Sequence, residues 1–311
     1  MLELAEFQLI TEGLLFPEGP VATSDSKVVL VEIYSGHLTR VDVDSGTLDR
    51  FAVCGGGPNG IAVGPDSMLY VCNNGGFEWH DLGGLLAPGH QPGDYSGGRI
   101  QRVDPAGATV KDIYTHVGAN QLRGPNDIVF DQTGGFWFTD LGKTRRREND
   151  LGGLYYAKPD GSSVEEVVYP LIQPNGVGLS PDASRVYVAE TGPGRVWAWD
   201  VESPGKLARA GIGPGGAQLL WGFDGYQLLD SLAVDSEGNV CVATLITGAI
   251  SVISPGGTLL EQVAVPEPDP FVTNICFGGP DMRTAYITSS GRGRLYATQW
   301  PVPGLKLAFN H

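Results

Sequence analysis

Apolar and β-branched residues fall in short runs separated by turns rich in Gly, Pro, Asn and Asp. Residues 28–33, 68–72, 136–139, 185–189, 239–243 and 285–288 are the clearest examples. Runs of this length bounded by breakers predict short strands, and no long stretch keeps a helical period. The 46 Gly and 22 Pro agree, because a bundle of long helices would need far fewer breakers. No stretch approaches the roughly 18 consecutive apolar residues of a membrane-spanning helix.

The runs belong to a repeat. Each follows a polar residue in a similar setting: Phe16-Pro17-Glu18-Gly19-Pro20, Pro58-Asn59-Gly60, Pro125-Asn126-Asp127, Pro174-Asn175-Gly176, Leu229-Asp230-Ser231 and Thr273-Asn274-Ile275. The polar positions are spaced 41, 67, 49, 55 and 44 residues apart. A Gly-started strand follows each in turn, at 36–42, 98–104, 153–159, 194–200, 248–254 and 293–299. A sheet of three or four short strands cannot bury both faces alone, and packing sheet against sheet around an axis solves that problem. The prediction is an all-β, six-bladed β-propeller forming a single domain over residues 1–311. A pair of β-sandwiches is the weaker alternative, since the repeat runs evenly through the middle. Residues 7–10 are expected to supply the outer strand of the blade containing 274–300 and so close the ring.

In such a ring the repeated polar position opens each innermost strand. Glu18, Asn59, Asn126, Asn175, Asp230 and Asn274 should therefore converge at one mouth of the channel. The ring is oxygen-rich, with no His or Cys. For Asn59 and Asn274, ordinary turn chemistry is the simpler reading. Two carboxylates confined together repel and are costly to desolvate unless a cation offsets them. Hard oxygen donors suit Ca²⁺, Mg²⁺ or Mn²⁺ over a structural zinc. A water-filled polar channel is the alternative.

Charge narrows the partners. With 20 basic and 35 acidic residues the formal charge is −15, which argues against nucleic acid and anionic membrane. Cys54, Cys72, Cys241 and Cys276 are scattered without a paired spacing and read as reduced thiols. The acidic start, residues 1–7, lacks the pattern of a secretory leader. A cytoplasmic monomer or homodimer acting on a small molecule is expected.

Further candidates lie at the ends of second strands, where Asn73, Asp140 and Glu190 are placed to orient ring residues or waters; strand-end caps are the alternative. Residues 74–97 form a long Gly-rich insertion carrying Trp79, His80, His90 and Tyr95, expected to act as a lid. The run Lys143-Thr144-Arg145-Arg146-Arg147-Glu148 is the one basic cluster, a solvated face or a dock for an anionic substrate group.

These residues resemble the senescence marker protein 30, gluconolactonase and luciferin-regenerating enzyme family of six-bladed propellers. The resemblance spans the chain. It rests on residues 16–20, on Gly124-Pro125-Asn126-Asp127 with Trp137-Phe138-Thr139-Asp140, and on Gln173-Pro174-Asn175-Gly176. It continues in Leu229-Asp230-Ser231 with Asp235-x-Glu237-Gly238-Asn239, and in residues 276–281. It implies lactone hydrolysis and one divalent cation held by Glu18, Asn175 and Asp230, with Asn126 facing substrate or completing the metal shell. Ca²⁺ is the first expectation; Zn²⁺, Mn²⁺, Mg²⁺ and Fe²⁺ also occur in the family. The sugar-lactonase branch often has Arg two residues before the substrate Asn, whereas here Arg123 lies three before Asn126. Asp230 precedes Ser231 where the family usually has Gly.

A cation polarises the carbonyl of a lactone and acidifies a water. Asp230 is then the expected general base and Asn126 a donor to the oxyanion. Arg123, Trp79 and Tyr95 are the expected substrate contacts beside Asn126. The lid aromatics favour an aryl lactone as the alternative substrate, and a non-catalytic metal- or ligand-binding propeller is the non-enzymatic alternative.

Overall fold

The computed structural model describes residues 6–310. The N-terminal stretch read for a leader lies mostly outside them. Six antiparallel sheets of four or five strands follow one another along the chain, with two two-stranded hairpins beside them. Their first strands are Pro17–Ala22, Pro58–Val63, Pro125–Phe130, Pro174–Leu179, Leu228–Val234 and Val272–Gly278. Each first strand touches that of the next sheet, and the sixth touches the first. The sheets therefore close into a six-bladed propeller, blades 1 to 6 in chain order, with the first strands innermost.

Closure comes from the N-terminus. Gln8–Glu12 pairs antiparallel with Arg294–Gln299 as the outer strand of blade 6, close to the expected position. Among the described residues the only helix is a single 3₁₀ turn, Pro214–Gly216. No helix there is long and apolar enough to cross a membrane.

The core lies between blades. Trp137 and Leu154 of blade 3 pack with Val186, Val188 and Trp199 of blade 4 in one buried cluster. Blades 5 and 6 share Cys241, Ile250, Phe277 and Trp300 in the same way. Alternate residues of each strand thus face opposite neighbours, which is why both faces of every central strand are apolar. All four cysteines are free thiols, and three are buried.

The Pro-Asn-Gly segments open the innermost strands of their blades, as expected. Their glycines serve close approach: a Cβ on Gly60 would lie 2.6 Å from the Asn126 carbonyl oxygen, and one on Gly176 2.6 Å from the Leu232 nitrogen. Adjacent inner strands meet backbone to backbone there, so only Gly fits.

The insertion at 74–97 is more ordered than a plain loop. Trp79–Asp81 and Leu86–Pro88 form a small hairpin. It is tied to three other blades. Leu86 N–H donates to the Gly291 carbonyl of blade 6, and Gln91 N–H to the Thr144 carbonyl of blade 3. Trp79 packs edge-on against Phe16 and Tyr34 of blade 1. The insertion is a strap lashed across one face of the ring.

Candidate functional site

Every inner strand carries an irregularity in its pairing at the repeated polar position, as between Glu18 and Val21, Pro125 and Ile128, or Leu229 and Leu232. The same break occurs in blades 2, 4 and 6. A bulge bends its strand and re-aims one side chain. Here it frees the polar side chain from the ladder at the end of the strand that meets the mouth.

A second repeated device holds the segment leading into the bulge in blades 1 to 4. The side chain ending the second strand accepts backbone N–H groups just upstream of the ring residue. Glu32 binds Leu15 N–H at 2.8 Å, Asn73 binds Gly57 N–H at 3.0 Å, and Glu190 binds Ile172 N–H at 2.6 Å. Asp140 accepts from Arg123 and Gly124, both at 2.7 Å. Asn73, Asp140 and Glu190 thus hold backbone; Glu32 does the same and had no distinguishing signal as a single residue.

Glu18, Asn59, Asn126, Asn175 and Asn274 are buried, and Asp230 is partly open. Glu18 Oε2 accepts from Asn274 Nδ2 at 2.7 Å and from Gly19 N–H at 2.5 Å. Asn274 is therefore more than a turn residue. Asn175 Nδ2 donates to Thr191 Oγ1 at 3.2 Å, and Ser231 Oγ lies 3.4 Å from its Oδ1. Among the described residues two buried acceptors, Glu18 Oε1 and Asn126 Oδ1, have no hydrogen-bond donor. A buried acceptor left unpaired costs about 1–3 kcal/mol, more when charged, so two at one site call for a cationic or donating partner.

The electrostatics agree. Burial raises the Glu18 carboxyl above its ordinary range. Burial, then the charge of Glu18, raises Asp230 well above its own, although Asn175 bonds to it. A third carboxyl joins them. Asp127, pushed up to about 8 by burial and then by Glu18, accepts from Ile128 N–H at 2.9 Å and from Val177 N–H of blade 4 at 3.2 Å. It occupies the position held by Gly in blades 1, 2 and 4, and that break in the repeat was its available signal. Among the described residues no three His, Cys, Asp or Glu side chains converge at ligand spacing. A cation here needs amide oxygens as well as carboxylates, and the orphaned Glu18 and Asn126 oxygens fit a hard one.

The sequence profile of the SMP-30/gluconolactonase/LRE-like region matches residues 16–291. The chain belongs to this family. The lactonase drp35 of Staphylococcus saprophyticus is 30% identical over 86% of this chain and 74% of its own. A gluconolactonase from Xanthomonas campestris superposes with a TM-score of 0.72 at 21% identity, covering 96% of this chain and 89% of that one. Regucalcin from Agrobacterium tumefaciens, described as a calcium-binding protein, gives 0.73 at 17% identity over 99% and 98%. At these identities the two structures establish the fold.

The remaining candidates surround the mouth. Arg123 is exposed, its guanidinium 3.4 Å from Gln121 Oε1. The Tyr95 hydroxyl donates to the Arg123 carbonyl at 2.6 Å and accepts from Gly98 N–H at 3.0 Å. Trp79 also touches Phe77. Both aromatics thus help seat the strap, and the exposed His80 and His90 lie along it.

The basic run divides. Lys143 is buried, donates to Gly76 O at 2.6 Å and Asn74 Oδ1 at 3.2 Å, and lies 3.9 Å above the Phe77 ring. Arg145 pairs with Asp150 and Glu148. Of its basic residues only Arg146 and Arg147 are exposed, so the run is mainly a latch for the root of the strap.

Proposed function

We propose that the mouth hydrolyses a lactone with one divalent cation, Ca²⁺ first among the candidates, held by Glu18, Asn175 and Asp230 with Asn126 beside it. The observation that carries this is the pair of buried, donorless oxygens on Glu18 and Asn126 next to the partly open Asp230. The 30% identity to a lactonase supports the choice of reaction, and the calcium-binding structural neighbour supports the choice of ion. When bound, the cation polarises the lactone carbonyl and balances the carboxylate charge.

The residues divide the remaining work. Asp230, open to the mouth, accepts the proton of a water whose oxygen attacks the carbonyl carbon. The Asn126 amide donates to the oxygen that gains charge. The ring C–O bond then breaks, and the proton on Asp230 passes to the leaving alkoxide, giving a hydroxy acid. The strap covers the mouth and excludes bulk water.

The rim favours a lactone bearing an apolar substituent over a polyhydroxylated one. Leu15 and Ile172 stand three residues before their ring residues and are 36% and 48% exposed. Arg123 is the cationic member of that set.

The test is hydrolysis of sugar, aliphatic and aryl lactones by pH-stat on metal-stripped protein, with Ca²⁺, Mn²⁺, Mg²⁺, Zn²⁺ and Fe²⁺ re-added singly. Turnover restored by a cation is expected. Cation binding without turnover of any lactone would move the protein to the binding-scaffold class.

A further inference from the structure

Below the polar ring the channel changes character. A cavity of about 130 Å³ runs from Asp127 and Asn274 down to the opposite opening, lined by Val21, Ile61, Val234, Ile275, Phe277 and Met282. The C-terminal segment 305–310 forms its floor. That segment is anchored at both ends. Leu305 N–H donates to the Val234 carbonyl at 3.0 Å, and Phe309 packs edge-on against Phe130 at 5.8 Å.

The polar groups at the roof are already spent. Both Asp127 oxygens accept backbone N–H groups. Asn274 accepts from Ile275 N–H and donates to Glu18. A buried water needs about two to four polar partners, and the walls between this roof and the lower opening offer few: the other polar side chains on the lining, Asp131, Gln132, Ser180, Lys306 and Asn310, lie just past the lower ends of the inner strands or on the floor segment. Apolar cavities of about this size stay dry and take up a molecule such as benzene or xenon.

We propose that the lower channel is a binding site for one small apolar molecule, a single aromatic ring or a compact hydrocarbon, held between Val234, Phe277 and Met282 and closed over by segment 305–310. The site lies on the far side of the ring from the mouth and does not depend on the reaction there.

The methionines make it directly observable. The chain has three, Met1, Met68 and Met282, and of the two among the described residues Met282 alone lines the cavity. In protein carrying ¹³C-methyl methionine, benzene and xenon are titrated separately and imidazole serves as a polar probe of similar size. A saturable shift of the Met282 methyl with benzene and with xenon is expected, while Met68 stays fixed and imidazole has no effect. Val234→Phe fills the cavity from its wall and Ala308→Phe from its floor, so each folded variant should lose the shift. The proposal is overturned by an unmoved Met282 up to the solubility of both probes, by an equal response to imidazole, or by a shift that survives in a folded filled variant. The wild-type titration decides the matter if neither variant folds, and no arm measures lactone turnover.

Discussion

The two halves of the channel are built from the same six strands and differ in almost every physical respect. At the upper mouth each strand is interrupted by a bulge, and the freed residues are carboxylates and amides, two with unpaired oxygens. Two or three residues further on the ladders resume, the side chains are apolar, and the roof groups facing the cavity are paired within the protein. The upper half carries unmet polar demand; the lower half carries none. One repeat unit thus makes both a polar site and an apolar-walled cavity, depending on whether the strand is pleated or bulged at that depth.

The largest expected effect falls on the upper half. Asp230→Asn should lower lactone turnover by about 10³-fold, in line with loss of a general base. Its cation-free stability should hold or rise, because one of three clustered carboxyl charges is gone. Steady-state kinetics and a denaturant melt test both halves of that statement, and retained turnover would remove Asp230 as the base.

Next in size is the pH dependence of cation-free protein. The folded-state pKa of Asp127 is raised to about 8, and that of Asp230 is raised as well. Between pH 4 and 8 the folded chain therefore holds protons that the unfolded chain releases, and stability should fall as pH rises, by on the order of a few kcal/mol. A divalent cation should flatten that slope. Denaturation in chelator at pH 5 and pH 8, repeated with Ca²⁺, measures this; equal slopes with and without the ion would argue against a cation at the ring.

Lys143 should behave with the opposite sign. Burial lowers its pKa to about 7, so between pH 7 and the ordinary lysine range the unfolded chain binds the extra proton. Its contribution to stability therefore rises with pH over that window. Facing it are Asp140 and Asp150, with the Tyr95 and Phe77 rings on the strap side. Lys143→Met leaves the Gly76 carbonyl without this donor, at a cost of about 1–3 kcal/mol. Amide exchange over 74–91 should quicken about tenfold while the inner strands stay protected; unchanged exchange would mean the strap is held elsewhere.

The smallest effect is at the rim. Ile172→Asp should reduce kcat/KM several-fold for lactones with an alkyl chain and leave the unsubstituted ring almost unaffected, since each buried methylene is worth about 0.8 kcal/mol. A uniform loss across the series would place Ile172 outside the substrate's path.

The sequence by itself determined the repeat, and with it the number of blades, the N-terminal closure and the convergence of the six polar positions. These follow from local pattern, because strand period and turn chemistry act over a few residues and radial packing then dictates the rest. Tertiary structure alone decided what those residues touch. Asn274 reads locally as a turn residue, yet it binds Glu18 256 positions away. Lys143 reads as part of a solvated basic run, yet it is buried under a strap that begins 69 residues earlier. Asp127 looks like one more motif residue until blade 4 supplies its backbone partner. The floor of the lower channel comes from a half-exposed terminal segment with no repeat signature. Burial and partnership across a closed ring depend on which blades become neighbours, and no window along the chain contains that information.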